Sequence, residues 1–256
     1  MNSLVVKDLC KTYIVNKRQN NVLRNVNLEI NEGEMVAVMG PSGSGKSTLL
    51  YAVSGMDRPT AGSVSFFGKD LTNLNASQMS DVRLNEMGFI FQQMYMLKNL
   101  SIYDNIILPA YQSKNGKGKE KRAIINNRAK ELMKKLNISE IAENDINEVS
   151  GGQLQRACIC RSLINQPKMV FADEPTGALN QQNSKEVMKE LNRMNAEGTT
   201  VMLVTHDMKV AAKSDRVLYI EDGNIKGEIS FGKFEDPGTL RDREKQISDW
   251  LMEMGF

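Results

Sequence analysis

The sequence predicts an α/β protein with a mostly parallel sheet, an N-terminal antiparallel β subdomain and an inserted α-helical subdomain. Short apolar runs of buried-strand length, at residues 35–39, 169–172 and 199–204, alternate with helical patterns. Such alternation is typical of parallel sheets. A glycine-rich segment follows the first run, and polar side chains follow the other two directly. Because ligands bind at the carboxyl ends of parallel strands, the three runs also predict where a functional site lies.

Length and composition limit the class of protein. The chain has 256 residues, 41% hydrophobic and 25% charged, with a formal net charge of +2. These values are ordinary for a soluble globular protein. The small net charge does not indicate that the whole protein binds nucleic acid or a membrane surface. No apolar run approaches the roughly 18 residues that cross a bilayer, and the N-terminus lacks signal-peptide features. Cys10, Cys158 and Cys160 form no disulfide framework. We therefore expect a protein of the reduced cytoplasm, with the latter two cysteines as small buried residues.

The N-terminal segment has the pattern of β structure. Residues 4–6 open a predicted edge strand, and residues 16–21 are polar and turn-like. Residues 22–30 alternate, with Val26 and Leu28 on one face, as in a half-buried strand. Further strands are predicted at residues 63–67, 87–93 and 216–220, and a hairpin turn at 221–224.

We expect a core domain at residues 1–231, a helical subdomain inserted at about 94–165, and an extension at 232–256. The insertion contains predicted helices at 102–108, ending before Pro109, and at 119–136. The basic run at 114–122 is expected to be a solvated loop, with a phosphate or lipid patch as the alternative. The extension predicts an amphipathic helix over 240–254, which either packs on its own core or docks on a partner.

Residues 40–48 read Gly-Pro-Ser-Gly-Ser-Gly-Lys-Ser-Thr and match the phosphate-binding pattern G-x-x-x-x-G-K-[ST]. Glycines allow a tight turn, and successive backbone N–H groups with a helix N-terminus form a concave anion site. Lys46 supplies charge for the β- and γ-phosphates, and the Ser47 hydroxyl can ligate Mg²⁺. A strand before the loop and a predicted helix at 47–54 provide the required setting. Alone, the loop predicts a P-loop nucleotide-binding protein and leaves kinases, GTPases and motors open.

Polar residues follow two other predicted strands. Asp173 and Glu174 come directly after the run at 169–172, and carboxylate oxygens suit Mg²⁺. One carboxylate could orient the metal while the other polarises a water; a solvated acidic pair is the alternative. His206 is the single histidine and follows the run at 199–204. We expect it to contact a γ-phosphate, with a structural role as the alternative.

A second helix start, at residues 149–156, is also suited to an anion. Ser150 is a natural N-cap, with Gln153 at the capping-box position, for a helix to about residue 163. The two glycines between them leave the helix N-terminus open to an anion. One triphosphate held by one loop does not require this second site.

With these motifs in this order, the sequence strongly resembles the nucleotide-binding subunits of ATP-binding cassette (ABC) transporters, over about residues 4–229. The resemblance matches residues 40–47 to the Walker A loop, Gln92 to the Q-loop glutamine, residues 150–153 to the signature, residues 170–173 to Walker B with Glu174 after it, His206 to the switch histidine, and Tyr13 to the aromatic residue that stacks on adenine.

The resemblance implies ATP and Mg²⁺ as cofactors and an ATP-dependent head-to-tail dimer, with each ATP between the glycine loop of one copy and the signature of the other. It implies Glu174 as general base, with His206 and Gln92 also catalytic. The implied magnesium ligands are Ser47, Gln92 and Asp173. The implied ATP-binding residues are Tyr13, Gly40, Ser42, Gly43, Ser44, Gly45, Lys46, Ser47 and Thr48, together with Ser150, Gly151, Gly152 and Gln153 toward the ATP of a second copy.

Two residues depart from the family pattern. Val149 replaces the usual Leu before the signature, and Asn180 replaces the usual Asp after Walker B, which bears on communication between the two sites. Around residues 89–93 and 175–179 the sequence is similar to the branch of lipoprotein-release, macrolide-export and bacitracin- or lantibiotic-resistance systems.

That branch implies a separate transmembrane permease and a place on the cytoplasmic side of the membrane. It implies an antimicrobial peptide, a lipid or a lipoprotein as cargo, and no nucleic-acid partner. The alternative is an ATP-gated signalling or scaffold protein that regulates a membrane protein without transport. Soluble cassettes that act on ribosomes or DNA usually carry two cassettes or a long coiled coil, and neither pattern is present.

Overall fold

The computed structural model describes residues 1–113, 118–177 and 179–255. The strands of these residues are β1 Asn2–Val15, β2 Arg18–Asn31, β3 Met35–Met39, β4 Ala61–Phe66, β5 Lys69–Asp70, β6 Met87–Ile90, β7 Met169–Asp173, β8 Thr200–Val204, β9 Arg216–Glu221 and β10 Asn224–Ser230. The α-helices are α1 Lys46–Val53, α2 Ala76–Glu86, α3 Ile102–Gln112, α4 Lys119–Lys135, α5 Gly151–Leu163, α6 Gln181–Ala196, α7 Met208–Ala211 and α8 Leu240–Glu253.

A six-stranded sheet in the order β10-β9-β3-β8-β7-β6 forms the centre of the fold. Strands β9, β3, β8, β7 and β6 are parallel, and β10 returns antiparallel to β9 through the predicted hairpin. Every residue of β3, β7 and β8 is buried, because both faces of the sheet are covered. Successive residues of β3 enter apolar clusters on opposite faces. The predicted α/β class is confirmed.

A second, four-stranded antiparallel sheet has the order β2-β1-β4-β5. The prediction of an edge strand at residues 4–6 is therefore wrong, because β1 lies between β2 and β4. The partner β4 begins some fifty residues later along the chain, so nothing local in the sequence shows this pairing. The polar stretch at 16–21 turns only at Asn16 and Lys17, which have positive φ, and β2 already begins at Arg18.

The inserted segment contains α3, α4 and α5. Helix α3 continues through Pro109 to Gln112, so the predicted end before the proline is wrong. Pro109 removes only one backbone N–H donor from the helix. The continuation buries Ala110, and the Ser113 N–H donates to the carbonyls of Pro109 and Ala110. Helix α4 matches its prediction closely. Of the basic run at 114–122, residues 114–117 lie outside the described residues.

Helix α8 packs on the chain's own core. Ile247 and Leu251 are buried there, and Trp250 makes an edge contact with Tyr219 of β9 at 6.3 Å between ring centroids. The buried Arg243 guanidinium donates to four main-chain carbonyls outside the helix, including that of Ser214 at 3.2 Å. Of the two alternatives for this helix, the structure shows packing on the core.

Candidate nucleotide-binding site

The glycine loop lies at the carboxyl end of β3 and leads into α1. Gly40 has φ 150°, and a Cβ at this position would lie 2.0 Å from the carbonyl oxygen of Ile220. Only glycine fits there, because the backbone of the neighbouring strand passes directly beside it. Gly43 and Gly45 also have positive φ, and Ser42 and Gly43 are exposed at the tip of the loop. The motif spacing therefore produces an open, strongly curved backbone.

Two polar groups inside this loop are suited to an anion. The Lys46 ammonium donates to the carbonyls of Gly40 at 2.9 Å and Pro41 at 2.7 Å. Burial lowers the pKa of Lys46, and the charges of Asp173 and Glu174 oppose that shift. The Ser44 hydroxyl is buried and has no hydrogen-bond partner among the described residues. A buried hydroxyl without a partner is costly unless a ligand supplies one, so this loop fits a phosphate group.

Asp173, at the end of β7, is the polar centre of the site. Ser47 Oγ donates to its Oδ1 at 2.9 Å, and the Tyr51 hydroxyl donates to its Oδ2 at 2.7 Å. Only 4% of Asp173 is exposed. Burial, together with the hydrogen bond to Asp173, raises the pKa of Tyr51 well above its ordinary range. The structure thus brings Ser47 and Asp173 together, as predicted by their places at two strand ends.

Glu174 and His206 form a contact that the sequence did not predict. His206 Nδ1 lies 3.0 Å from Glu174 Oε1. The histidine side chain is 72% exposed and that of the glutamate only 13%. Glu174 has φ 48°, a left-handed conformation for a residue with a side chain, and its N–H donates to the carbonyl of Val204 at 3.0 Å. Strained backbone of this kind often occurs at functional sites.

The Ser150 segment has the predicted capping box. Ser150 Oγ accepts a hydrogen bond from the Gln153 N–H at 3.3 Å, and Gln153 Oε1 accepts one from the Ser150 N–H at 2.9 Å. Ser150 and Gly151 are exposed. Among the described residues, no recorded hydrogen bond joins this helix start to the glycine loop. The second anion-ready helix N-terminus is therefore present on the surface and is not used by the chain's own loop.

The start of α5 is held against α6 by residues that the sequence reasoning missed. The Arg156 guanidinium donates to Asn183 Oδ1 at 2.7 Å, and a Cβ on Gly152 would lie 2.4 Å from Asn183 Nδ2. The Gln155 amide donates to the Pro175 carbonyl at 2.9 Å. Asn180 caps α6 by accepting from the Asn183 N–H at 2.9 Å, so it supplies the cap that an aspartate would supply. Ala178, between these segments, lies outside the described residues.

Gln92 and Tyr13 lie apart from these contacts. Gln92 is exposed two residues beyond β6, and within the described chain its side chain makes no hydrogen bond. Tyr13 donates to Asp57 Oδ2 at 2.6 Å, and the Lys11 ammonium lies 4.8 Å from its ring centroid. Burial and Asp57 raise the pKa of Tyr13, and the nearby Thr48 side chain, at the start of α1, opposes that shift. Tyr13 is therefore close to the glycine loop, whereas among the described residues no hydrogen bond joins the Gln92 side chain to Ser47 or Asp173.

The donor set fits a magnesium ion that shares its coordination with phosphates. A hydroxyl and a carboxylate, from Ser47 and Asp173, lie side by side. No group of three or more His, Cys, Asp or Glu side chains that could hold a metal occurs in the described residues. Mg²⁺ characteristically takes one or two protein oxygens and completes its shell with substrate phosphates and water, so the small donor set fits this ion.

The comparisons with known proteins agree with this site. The protein-family model for the ABC transporter domain matches residues 23–177. A Bacillus subtilis (strain 168) protein, the uncharacterized ABC transporter ATP-binding protein YknY, is 40% identical over 227 residues, which cover 87% of this chain and 96% of that protein. The lipoprotein-releasing system ATP-binding protein LolD of Wigglesworthia glossinidia brevipalpis is 42% identical over 229 residues, covering 88% and 98%.

A longer relative also matches. The macrolide export ATP-binding/permease protein MacB of Bdellovibrio bacteriovorus is 38% identical over 223 residues; these are 87% of this chain but only 33% of that protein. Two solved dimeric structures of the ABC cassette MJ0796 match with a TM-score of 0.84 each. Their sequence identities are 36% and 37%, and each match covers 90% of this chain and 100% of the other; one of them holds ADP and Pi.

The chain belongs to the ABC transporter family, with the P-loop NTPase fold expected from its sequence. It is an ATP-binding subunit of that class and an ATPase. In the part of the chain that the structure describes, no helix is both long and apolar enough to cross a membrane.

Proposed function

We propose that this chain hydrolyses Mg²⁺-bound ATP in a head-to-tail dimer and uses the closure of that dimer to move a separate membrane permease. The observation that carries the proposal is the arrangement of two anion-ready helix starts. One, at Lys46, lies beside Asp173 and Glu174 and forms a nearly complete ATP site. The other, at Ser150, is exposed and not used by that site.

The proposed chemistry assigns one role to each group at the strand ends. The backbone of the glycine loop and Lys46 bind the phosphates of ATP. Ser47 and Asp173 would hold Mg²⁺, which supplies charge stabilisation to the transferring phosphoryl group. Glu174 accepts a proton from the attacking water, and His206, 3.0 Å from its Oε1, orients that carboxylate and faces the γ-phosphate. Gln92 is proposed to join the magnesium site when its exposed segment moves.

The proposed dimer completes each site with a second copy. Ser150, Gly151, Gly152 and Gln153 of one copy would close over the ATP held by the glycine loop of the other. Three observations support this: the capping box pre-forms the helix start, both Ser150 and Gly151 are exposed, and the MJ0796 cassette is dimeric in its solved structures. Tyr13 is proposed to stack on adenine, which its place beside Thr48 allows.

We assign the permease to a groove between the catalytic core and the inserted helices. The groove has a volume of about 410 Å³, and Met56, Phe89, Phe91 and Pro109 are among its lining residues. A surface of this apolar character fits an apolar helix of a partner. Because Gln92 lies between residues of one wall, a helix seated there would contact the segment that carries Gln92.

The domain division remains part of the proposal: a core at 1–231, a helical subdomain at about 94–165 and an extension at 232–256. We propose that the helical subdomain carries the signature and turns against the core during the cycle. Several hydrogen bonds cross this boundary, and one of them, from the Gln155 amide to the carbonyl of Pro175, ends one residue after Glu174. This link would couple rotation of the subdomain to the position of the general base.

The proposed cargo is an antimicrobial peptide, a lipid or a lipoprotein, moved by a permease that holds this chain on the cytoplasmic side of the membrane. The name of one relative describes lipoprotein release and supports a lipoprotein; the name of another describes macrolide export. The alternative is an ATP-gated signalling or scaffold role without transport.

Reconstitution with the native permease separates these proposals. The chain is purified from its membrane with its partner, and the pair is placed in proteoliposomes with Mg²⁺ and ATP. ATP-dependent movement of cargo across the bilayer supports transport. ATP-dependent dimer closure on the permease with no movement of any of the three cargo classes supports the signalling role. The absence of a membrane partner in the purified complex would contradict both.

A further inference from the structure

Tyr51 contacts the same carboxylate as Ser47 but was not singled out by any motif. The two residues are four positions apart on α1, so their side chains project from one face of the helix. Ser47 bonds Asp173 Oδ1 at 2.9 Å and Tyr51 bonds Oδ2 at 2.7 Å. Each oxygen of the buried Asp173 thus has its own hydroxyl partner, and both partners come from a single rigid element.

The Tyr51 ring is itself held in place. Phe91, just beyond β6, lies 6.3 Å from it between ring centroids, and Phe89 stacks on Phe91 at 5.7 Å with an interplanar angle of 7°. Phe89 in turn stacks on Phe171 of β7, the strand that ends in Asp173. The hydroxyl donor and the acceptor carboxylate are therefore fixed by the same packed aromatic group.

The orientation of a metal-binding carboxylate matters because Mg²⁺ demands near-ideal octahedral geometry. A hydrogen bond to one carboxylate oxygen prevents rotation of the group and leaves the other oxygen for the ion. Outer partners of this kind commonly change metal affinity by roughly 10–100-fold when they are removed. Tyr51 occupies Oδ2, and Oδ1 is the oxygen beside Ser47.

We infer that Tyr51 is a positioning residue for magnesium: its hydroxyl holds Asp173 so that Oδ1 is presented to the ion beside Ser47. This inference rests on the proposed role of Ser47 and Asp173 as magnesium ligands. It adds to that role a side chain from outside the nucleotide-binding motifs.

The test measures magnesium binding separately from hydrolysis. Wild-type chain, Tyr51→Phe and Tyr95→Phe are titrated with MgCl₂ in the presence of a fluorescent non-hydrolysable ATP analogue, and with Mn²⁺ followed by EPR. Tyr95 is the matched control because its ring lies 5.4 Å from that of Phe91, and its hydroxyl makes no hydrogen bond within the described chain. Tyr51→Phe keeps the ring and removes only the hydroxyl.

We expect Tyr51→Phe to raise the half-saturating Mg²⁺ and Mn²⁺ concentrations by roughly tenfold. Binding of the analogue in EDTA and the melting temperature should stay near wild type, and Tyr95→Phe should match wild type throughout. Tyr51→Met, which also lacks a hydroxyl, should reproduce the shift and serves if the phenylalanine variant folds poorly.

Unchanged metal dependence in both Tyr51 variants would overturn the inference, as would an equal shift in Tyr95→Phe. Either outcome leaves the proposed function intact, because wild type still binds the analogue with Mg²⁺. If wild type binds the analogue equally well in Mg²⁺ and in EDTA, the magnesium assignment of Ser47 and Asp173 fails first, and the inference fails with it.

Discussion

The imidazole of His206 and the carboxylate of Glu174 lie 3.0 Å apart, although 32 residues separate them in the chain. Parallel strands β7 and β8 are neighbours in the sheet, so the residues that follow them meet at one edge. The histidine contacts the carboxylate that we propose as general base, and the charge of that carboxylate opposes the lowering of the Lys46 pKa by burial. The first prediction therefore concerns the carboxylate of Glu174.

Glu174→Gln is expected to lower the ATPase rate by at least roughly a hundredfold, since a positioned general base contributes about 10²–10⁴-fold. ATP binding should survive, so the variant should accumulate as an ATP-bound dimer. The rate is measured by phosphate release and the dimer by light scattering after gel filtration. Glu235→Gln, an exposed residue far from the loop in sequence, is the control. Hydrolysis at the wild-type rate would remove Glu174 from the base role.

Mixing two inactive variants tests the composite site. Lys46→Ala should abolish ATP binding by its own loop. Gly151→Trp should block closure over a partner's ATP without disturbing its own fold, because a Cβ on Gly151 meets nothing within 4 Å. Each mixed dimer contains one intact site out of two, and about half of the dimers in an equal mixture are mixed. The mixture should therefore recover roughly a quarter of wild-type ATPase activity when the sites act independently.

Each variant assayed alone should stay inactive. No recovery on mixing, with both proteins folded and Gly151→Trp still binding ATP as a monomer, would argue against head-to-tail sharing of the sites. Gly152 would be the wrong position for this experiment, because its neighbour Asn183 leaves no room for a side chain.

Packing of α8 predicts a stability effect that is independent of nucleotide. Leu251 is buried and Met252, its neighbour, is 69% exposed. Leu251→Ala should lower the free energy of unfolding by about 2–5 kcal/mol, the usual result of creating a cavity in a core. Met252→Ala should change it by less than about 0.5 kcal/mol. Urea denaturation measures both. Equal small effects would mean that α8 does not contribute to the core in solution.

The hydrogen bonds of Asp57 predict that part of the free energy of unfolding depends on pH in the acid range. Burial acts to raise the pKa of Asp57, but hydrogen bonds from Lys11 and Tyr13 outweigh it and hold the pKa below its ordinary value of 3.8. A lowered folded-state pKa stabilises the protein above the unfolded pKa and loses that contribution as pH falls through the folded value. The stability difference between wild type and Asp57→Asn should therefore be constant above about pH 5 and shrink toward pH 3.

Denaturation at fixed pH values between 3 and 7 checks this. A difference that stays constant down to pH 3 would show that Asp57 contributes through packing and not through its charge. Asp249→Asn is a suitable comparison, because Asp249 is an exposed residue of α8.

Much of the fold followed from local patterns. The buried strands β3, β7 and β8 were predicted within one or two residues, because each is a short apolar run with both faces covered. The capping box at Ser150 and the hairpin at Asp222 were predicted from residue types that favour one local geometry. Helix α2 was not predicted, although Asn75 and Gln78 form a capping box there too. Its apolar pattern is too weak to stand out.

The sequence by itself determined the motifs: the glycine loop, the acidic pair after β7, the histidine after β8 and the signature helix start. These depend on residue types at fixed local spacing, so they can be recognised without coordinates. Only the tertiary structure decided which side chains meet. The interior position of β1, the Glu174–His206 contact and the Tyr51 hydroxyl on Asp173 join residues that are distant in sequence. Their pairing is set by strand order and packing, which local patterns do not encode.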